Sequence, residues 1–190
     1  MIRRVLLAGF DPFGGETLNA SREVVRALGW GAVAGVELTP LELPTEFGRA
    51  PRILEEAVRT SRPDIVVCLG QARGRPQITP ERVAINVADA PRLPDNAGLQ
   101  PIDQPVVEGG PAAYWSTLPV KEIVGVLREA GIPAAVSNTA GTFVCNHVFY
   151  GLMHLLHTEY PSIRGGFIHV PVLPEQALDG SAPSMALGEI

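Results

Sequence analysis

Nucleophilic chemistry needs an activatable thiol or hydroxyl and a base that can reach it. In this chain the most telling pair is Cys145 and His169. Cys145 lies in the stretch AAVSNTAGTFVCNHVFYGLMHLLH, residues 134–157. A short apolar run ends at Ser137-Asn138, a small-residue turn follows, and Cys145 stands where that turn hands over to a long apolar helix pattern. The free N–H groups and positive dipole end of a helix stabilise a thiolate and can hold a developing oxyanion. A cysteine in an apolar segment is also an ordinary packing residue, so Cys145 needs partners before it counts as a nucleophile. His169 closes the predicted strand Gly166–Val170, which Pro171 ends. The carboxyl ends of strands in open α/β sheets are where sites form. A third group would orient the imidazole, and spacing alone leaves Asp11, Asp64, Glu81, Asp89, Asp95 and Asp103 open for that role.

Other reactive side chains carry weaker signals. His154 and His157 lie three apart on the same helix pattern, but no adjacent carboxylate or cysteine completes a metal site, so no metal is expected. His147, two residues from Cys145, points to a different side of that helix. The loop GFDPFGG (9–15) after the first strand is glycine-rich but lacks the Gly-Lys-Ser/Thr ending of a phosphate loop and has no lysine near it. Its distinctive feature is the ring pair Phe10 and Phe13, which by spacing alone reads as a plug at the end of the sheet.

The elements that must position these groups alternate. Strands are expected at Arg3–Phe10, Val36–Leu43 (at an edge or in two pieces, because of Pro40), Asp64–Gly70, Arg82–Val87, Ala134–Ser137 and Gly166–Val170. Helices are expected from an Asn19 or Ser21 cap through Leu28, from Thr45 through Thr60, over Val120–Ala130, and from Cys145 onward. Thr79-Pro80 reads as a turn. Residues 88–119 are rich in Pro, Gly, Asp and Asn without periodicity, which marks a candidate pocket cover or contact region. Ser184-Met-Ala-Leu reads as the first turn of a last helix that the chain end at Ile190 cuts short. This order predicts one α/β domain over 1–190: three layers, helices on both faces of a twisted, largely parallel, mixed sheet.

At 190 residues with 46% apolar content the chain has ample material for a core. A net charge of −5 with no basic run argues against nucleic acid or an anionic membrane as partner. No apolar run reaches the ~20 residues of a membrane span. The apolar part of the N-terminus, VLLAGF, is too short for a signal peptide and stops at Asp11. The second cysteine, Cys68 in IVVCLG, reads as structural, so a disulfide is not expected and a reducing cytoplasm fits.

Four blocks resemble the type I pyroglutamyl peptidases, cysteine peptidases that remove N-terminal pyroglutamate: LLAGFDPFGG (6–15), PERVAIN (80–86), SNTAGTFVCN (137–146) and GFIHVPVLPEQ (166–176). PDNAGLQPID (94–103) and GGPAAYWSTLPVK (109–121) fit as well. The resemblance implies Cys145 as nucleophile, His169 as base and Glu81 as the third catalytic member. It implies a lactam pocket made with Phe10, Phe13, Asn19, Gln71, Phe143 and Val144, which reverses the plug reading of the two rings. It implies no cofactor, peptides with an N-terminal pyroglutamate as substrates, and a homo-oligomer, a tetramer. The chain departs from the pattern in two places. Ala90–Pro94 carries one extra residue beside the arginine that the family places near the oxyanion, for which Arg92 is the match, and a C-terminal helix is mostly missing. A thiol amidase for another small cyclic or acyl amide would use the same site with a different pocket. An inactive binding module on the same fold is disfavoured by the intact Cys145, His169 and Glu81.

Overall fold

The computed structural model describes residues 2–29 and 34–190; Met1 and residues 30–33 lie outside the described part. The central sheet has the order β2-β1-β3-β7-β4. Its strands are β1 (Arg3–Phe10), β2 (Val36–Leu43), β3 (Ile65–Gln71), β4 (Thr79–Pro80) and β7 (Arg164–Val170). The first four in that order run parallel, and β4 joins β7 antiparallel. A second, two-stranded sheet pairs β5 (Val83–Ile85) with β6 (Ala113–Trp115). The helices are α1 (Ala20–Gly29), α2 (Ala50–Ser61), α3 (Val120–Glu129) and α4 (Val144–Glu159).

Alternation along the strands sorts the two faces of the sheet. Leu6, Ala8 and Phe10 of β1, Val66 and Cys68 of β3 and Phe167 of β7 pack with Leu54 and Val58 of α2 and with Val148, Phe149 and Leu152 of α4. Leu7 and Leu69 face the other way, onto Val24 and Val25 of α1. Val124 of α3 packs with Ile78 and Ala134, and Ile168 of β7 rests against that group. The result is a three-layer α/β/α arrangement. The parity of β7 matters most for chemistry. Phe167 is buried toward α4, so His169, two residues on, projects from the same face toward the start of that helix.

Four local expectations are corrected. The second helix begins at Ala50, not Thr45, because Thr45 is spent on the first loop: its N–H bonds Asp11 Oδ1 at 2.6 Å and its hydroxyl bonds the Asp11 carbonyl at 3.0 Å. Thr79-Pro80 is not a turn but the two-residue strand β4 beside β7: the Pro80 nitrogen faces away from β7, so its missing N–H costs that ladder no bond and interrupts only the pairing with residues 134–137 on the other side. The Arg82–Val87 strand shrinks to Val83–Ile85 and leaves the main sheet for its pairing with β6. Ser184-Met185 does not open a helix. It is extended and bridges to Val172, with Met185 N–H on the Val172 carbonyl, and a single 3-10 turn follows at Leu187–Glu189. Ala134–Ser137 pairs with residues 78–82 through the parallel bridges Ile78↔Ala134 and Glu81↔Ser137, short of a full ladder. Val36–Leu43 is one edge strand, and Pro40 sits in it opposite Leu7.

Asn146 ties β5 of the small sheet, and the residues just after it, to the Cys145 helix. Its buried amide donates to the carbonyls of Ile85 and Val87, both at 2.9 Å, and accepts from the Ile85 N–H at 3.0 Å. Asn146→Ala strands three backbone groups away from water, each worth about 1–3 kcal/mol. We expect a loss of about 3 kcal/mol or more, read as a fall in Tm of about 6–12 °C for a chain of this size. Thermal melts followed by circular dichroism check this; an unchanged Tm contradicts the clamp.

Candidate active site

Cys145 is the second residue of α4. Phe143 precedes the helix in an extended conformation and no side chain caps it. The N–H groups of Val144, Cys145 and Asn146 therefore find no protein acceptor among the described residues and point to the space ahead of the helix. The turn before it is pinned: Asp89 N–H bonds the Thr142 carbonyl at 2.9 Å and the Thr142 hydroxyl returns to the Asp89 carbonyl at 2.9 Å. Gly70, at the end of β3, leaves room for the sulfur. A Cβ there would lie 3.1 Å from Cys145 Sγ and 2.6 Å from the Phe167 ring.

His169 Nδ1 lies 2.7 Å from Oε1 of Glu81, a residue with no solvent exposure. Glu81 is held by backbone bonds on both sides: its own N–H donates to the Phe167 carbonyl at 2.8 Å, and the next N–H, of Arg82, donates to the Ser137 carbonyl at 2.8 Å. Burial opposes its charge, but His169, Ser137 and Arg75 more than offset that and hold the carboxyl below its usual range. Glu81 is thus a carboxylate that accepts the Nδ1–H, which leaves Nε2 of His169 as the nitrogen free to accept a proton. Burial holds the imidazole below its ordinary value, Glu81 works against that and Arg75 reinforces it. The Cys145 thiol is pushed up to about 12, first by its packed surroundings and then by the Glu81 charge, while Arg75 and its own N–H pull the other way. No hydrogen bond joins Sγ to the His169 ring. Both shifts favour the neutral forms, thiol and imidazole.

Both residues line one cavity of about 700 Å³. Phe13, Gln71, Arg92 and Phe143 line it too, with the Phe13 and Phe143 rings 5.9 Å apart. Gln71 Oε1 accepts the Ala20 N–H at the start of α1 at 2.8 Å, so its amide N–H₂ is the end left for a ligand. Arg92 is exposed at the rim and forms no ion pair within the described residues. Three residues assigned to the pocket stand behind its surface. Phe10 is buried against Phe167, Asn19 bonds the Asp11 carbonyl and Ser21, and Val144 lies in the core. Of the acidic residues open for the third role only Glu81 reaches His169. Asp11, Asp64 and Asp95 are engaged with backbone N–H groups of Thr45, Arg4 and Phe47. Asp103 lies in a turn at positive φ, and Asp89 lines the cavity rim.

Sequence reasoning missed Arg75. Its guanidinium bonds Glu81 Oε1 at 2.6 Å, the Thr79 hydroxyl at 2.7 Å and the Thr139 carbonyl at 2.9 Å. Nothing in the run Gly74-Arg75-Pro76 singles it out, because its partners come from two other segments. Among the described residues no three His, Cys, Asp or Glu side chains converge to hold a metal ion. His154 instead meets the Tyr114 hydroxyl at 2.9 Å, and His157 packs on the same ring.

The model of the pyroglutamyl peptidase family matches residues 3–190. The chain belongs to that family. A pyrrolidone-carboxylate peptidase of Streptomyces coelicolor is 60% identical over 182 residues, 96% of this chain and 84% of the relative. The crystal structure of pyroglutamyl peptidase I from Bacillus amyloliquefaciens superposes with a TM-score of 0.96 at 54% identity, covering 100% of this chain and 90% of that one. A mutant pyrrolidone carboxyl peptidase from Pyrococcus furiosus gives a TM-score of 0.93 at 41% identity, covering 98% and 91%. The three-layer fold is therefore the pyroglutamyl peptidase fold.

The protonation state of this family member has a direct readout. Iodoacetamide should label Cys145 slowly at about pH 6 and faster by about tenfold per pH unit above it, as a neutral thiol does. Cys68, buried in the sheet, should stay protected, and Cys145→Ala protein measures its share. Fast, pH-independent labelling from about pH 5 upward would instead show a resting thiolate–imidazolium pair.

Proposed function

We propose that the chain is a cysteine-type peptidase that removes N-terminal pyroglutamate from peptides by acyl transfer through Cys145, with His169 and Glu81 completing a catalytic triad. One observation carries the reading: Cys145 and His169 face one cavity, and Glu81 holds the far nitrogen of the imidazole. Substrate brings the carbonyl carbon to the sulfur. Nε2 of His169 takes the thiol proton as the carbon–sulfur bond forms. The oxyanion is held by the free N–H groups at the start of α4, that of Cys145 first, with Arg92 at the rim. The tetrahedral species collapses, the carbon–nitrogen bond breaks, and His169 gives its proton to the leaving amine. A water then attacks the thioester with His169 again as base, the carbon–sulfur bond breaks, and pyroglutamate leaves. Glu81 keeps the tautomer and balances the imidazolium in both halves.

The pocket suits a neutral lactam. Phe13 and Phe143 offer flat apolar walls, and the Gln71 amide N–H₂ is positioned to donate to the ring carbonyl. Arg73, Arg75 and Arg92 outnumber Asp89 on the lining, which disfavours the cationic amine of an ordinary N-terminus. We also assign the enzyme to a reducing cytoplasm, which the two free cysteines support, and to a homotetramer, for which the exposed Trp115 and Ile102 offer apolar surface.

Release of coumarin amine from a pyroglutamyl amide should be abolished in Cys145→Ala and reduced at least ~10³-fold in His169→Ala; Glu81→Gln should cost less, about 10–10²-fold. Residual wild-type-like turnover in Cys145→Ala would remove the nucleophile from the account. The acid limb of kcat/KM should lie below the ordinary imidazole range, since activity is lost only as pH falls through the depressed His169 value. In a panel of pyroglutamyl, prolyl and glutaminyl amides, Gln71→Ala should lose pyroglutamyl turnover selectively, because the prolyl ring has no carbonyl to pair.

A further inference from the structure

We propose that Arg75 is a positioning residue for this reaction: one guanidinium locks the Glu81 carboxylate and the turn that carries Cys145 into a single register. The proposal rests on the acyl-transfer reading above and concerns how the two halves of the site are kept together. Those halves come from different places. The base hangs from β7, with Glu81 after β4 behind it; the nucleophile stands at the end of the turn 137–143.

Arg75 is the side chain that reaches both. Nη1 donates to Glu81 Oε1 at 2.6 Å and to the Thr79 hydroxyl at 2.7 Å, and Nη2 donates to the Thr139 carbonyl at 2.9 Å. Each acceptor is itself tied to the site. Thr79 pairs with His169 across β4 and β7. Glu81 Oε1 is the oxygen that also meets His169 Nδ1. Thr139 accepts the Ser137 hydroxyl at 3.1 Å, and its own hydroxyl accepts the Gly141 N–H at 3.1 Å, within the turn that leads to Cys145. The planar fork of an arginine satisfies acceptors in two directions at once, which a lysine ammonium on a flexible stem does not do. Arg75 is mostly buried, with 28% of its side chain exposed, and Glu81 is wholly buried, so the pair is poorly screened.

The charge has a second consequence at the base. The charged or titratable groups that face His169 are Glu81 from the segment after β4, Arg75 from the loop after β3 and Cys145 from α4. The guanidinium opposes an imidazolium in the resting enzyme and so keeps Nε2 free to accept a proton. Removing it makes the protonated ring more favourable and moves the acid limb of the rate profile to higher pH.

The test compares Arg75→Gln and Arg75→Lys with wild type on a pyroglutamyl-coumarin amide, each rate divided by the fraction of sites that titrate with a thiol-directed inactivator. Wild-type turnover of that substrate stands for the acyl-transfer reading itself, so loss of the proposal is separable from loss of the reading. We expect Arg75→Gln to lower kcat about tenfold or more with KM within about twofold, and to shift the acid limb to higher pH. Arg75→Lys, which keeps the charge without the fork, should lower kcat and leave the acid limb in place. Combining Arg75→Gln with Glu81→Gln should cost little more than Glu81→Gln alone, since one residue acts through the other. A lowered Tm with per-site kcat and pH profile unchanged would make Arg75 merely structural and overturn the proposal. A rise in KM alone, or fully additive losses in the double variant, would overturn it too. If Arg75→Gln fails to fold, the Arg75→Lys result decides: wild-type per-site kcat contradicts the fork.

Discussion

A buried carboxylate is costly, and Glu81 is a carboxylate with no exposure to water. The structure depends on how that cost is met. The imidazole of His169 and the guanidinium of Arg75 both converge on Oε1, and the backbone on either side is bonded to β7 and to the segment at Ser137. This explains why a parallel sheet acquires an antiparallel edge. The two-residue β4 lets the chain lie beside His169 and continue directly to Glu81, and the following residues peel away to pair with β6.

The same packing bears on the state of the Cys145 sulfur. A helix N-terminus with three free N–H groups favours a thiolate, yet the Cys145 sulfur lies against Gly70 with a buried negative charge nearby. Burial and Glu81 push the thiol toward its protonated form against the pull of the helix end. Reactivity is then conditional on the proton transfer that substrate permits. In the proposed acyl transfer the free N–H groups serve the oxyanion rather than the resting sulfur, which places their stabilisation in the transition state where it raises the rate.

Much of this was legible in the residues. The apolar runs of β1, β3 and β7 announce buried parallel strands. Cys145 at a helix start and His169 at a strand end were visible as placements. Their meeting follows from strand parity, since Phe167 and His169 share the face toward α4. What stayed hidden was set by contacts between distant segments. Thr45 looked like a helix start but is consumed by Asp11; Pro80 looked like a turn but tolerates an edge; Arg75 had no local pattern at all. The aperiodic 88–119 stretch is ordered by side chains that imitate a backbone. Asp95 accepts the N–H groups of Phe47, Ala97 and Leu99, and Asn86 pairs with Val107 in both directions and donates to Gly110. Such bonds leave no periodicity to read.

The central claim is a covalent one: the pyroglutamyl group passes through the sulfur of Cys145. Mass spectrometry of the intact chain, quenched in acid during turnover of an activated pyroglutamyl ester and followed by peptide mapping, tests it directly. The account predicts an added mass of one pyroglutamyl acyl group, carried by the peptide containing Cys145 and lost on longer incubation. Turnover with no acylated chain under burst conditions, or acylation confined to another residue such as Cys68, would contradict it.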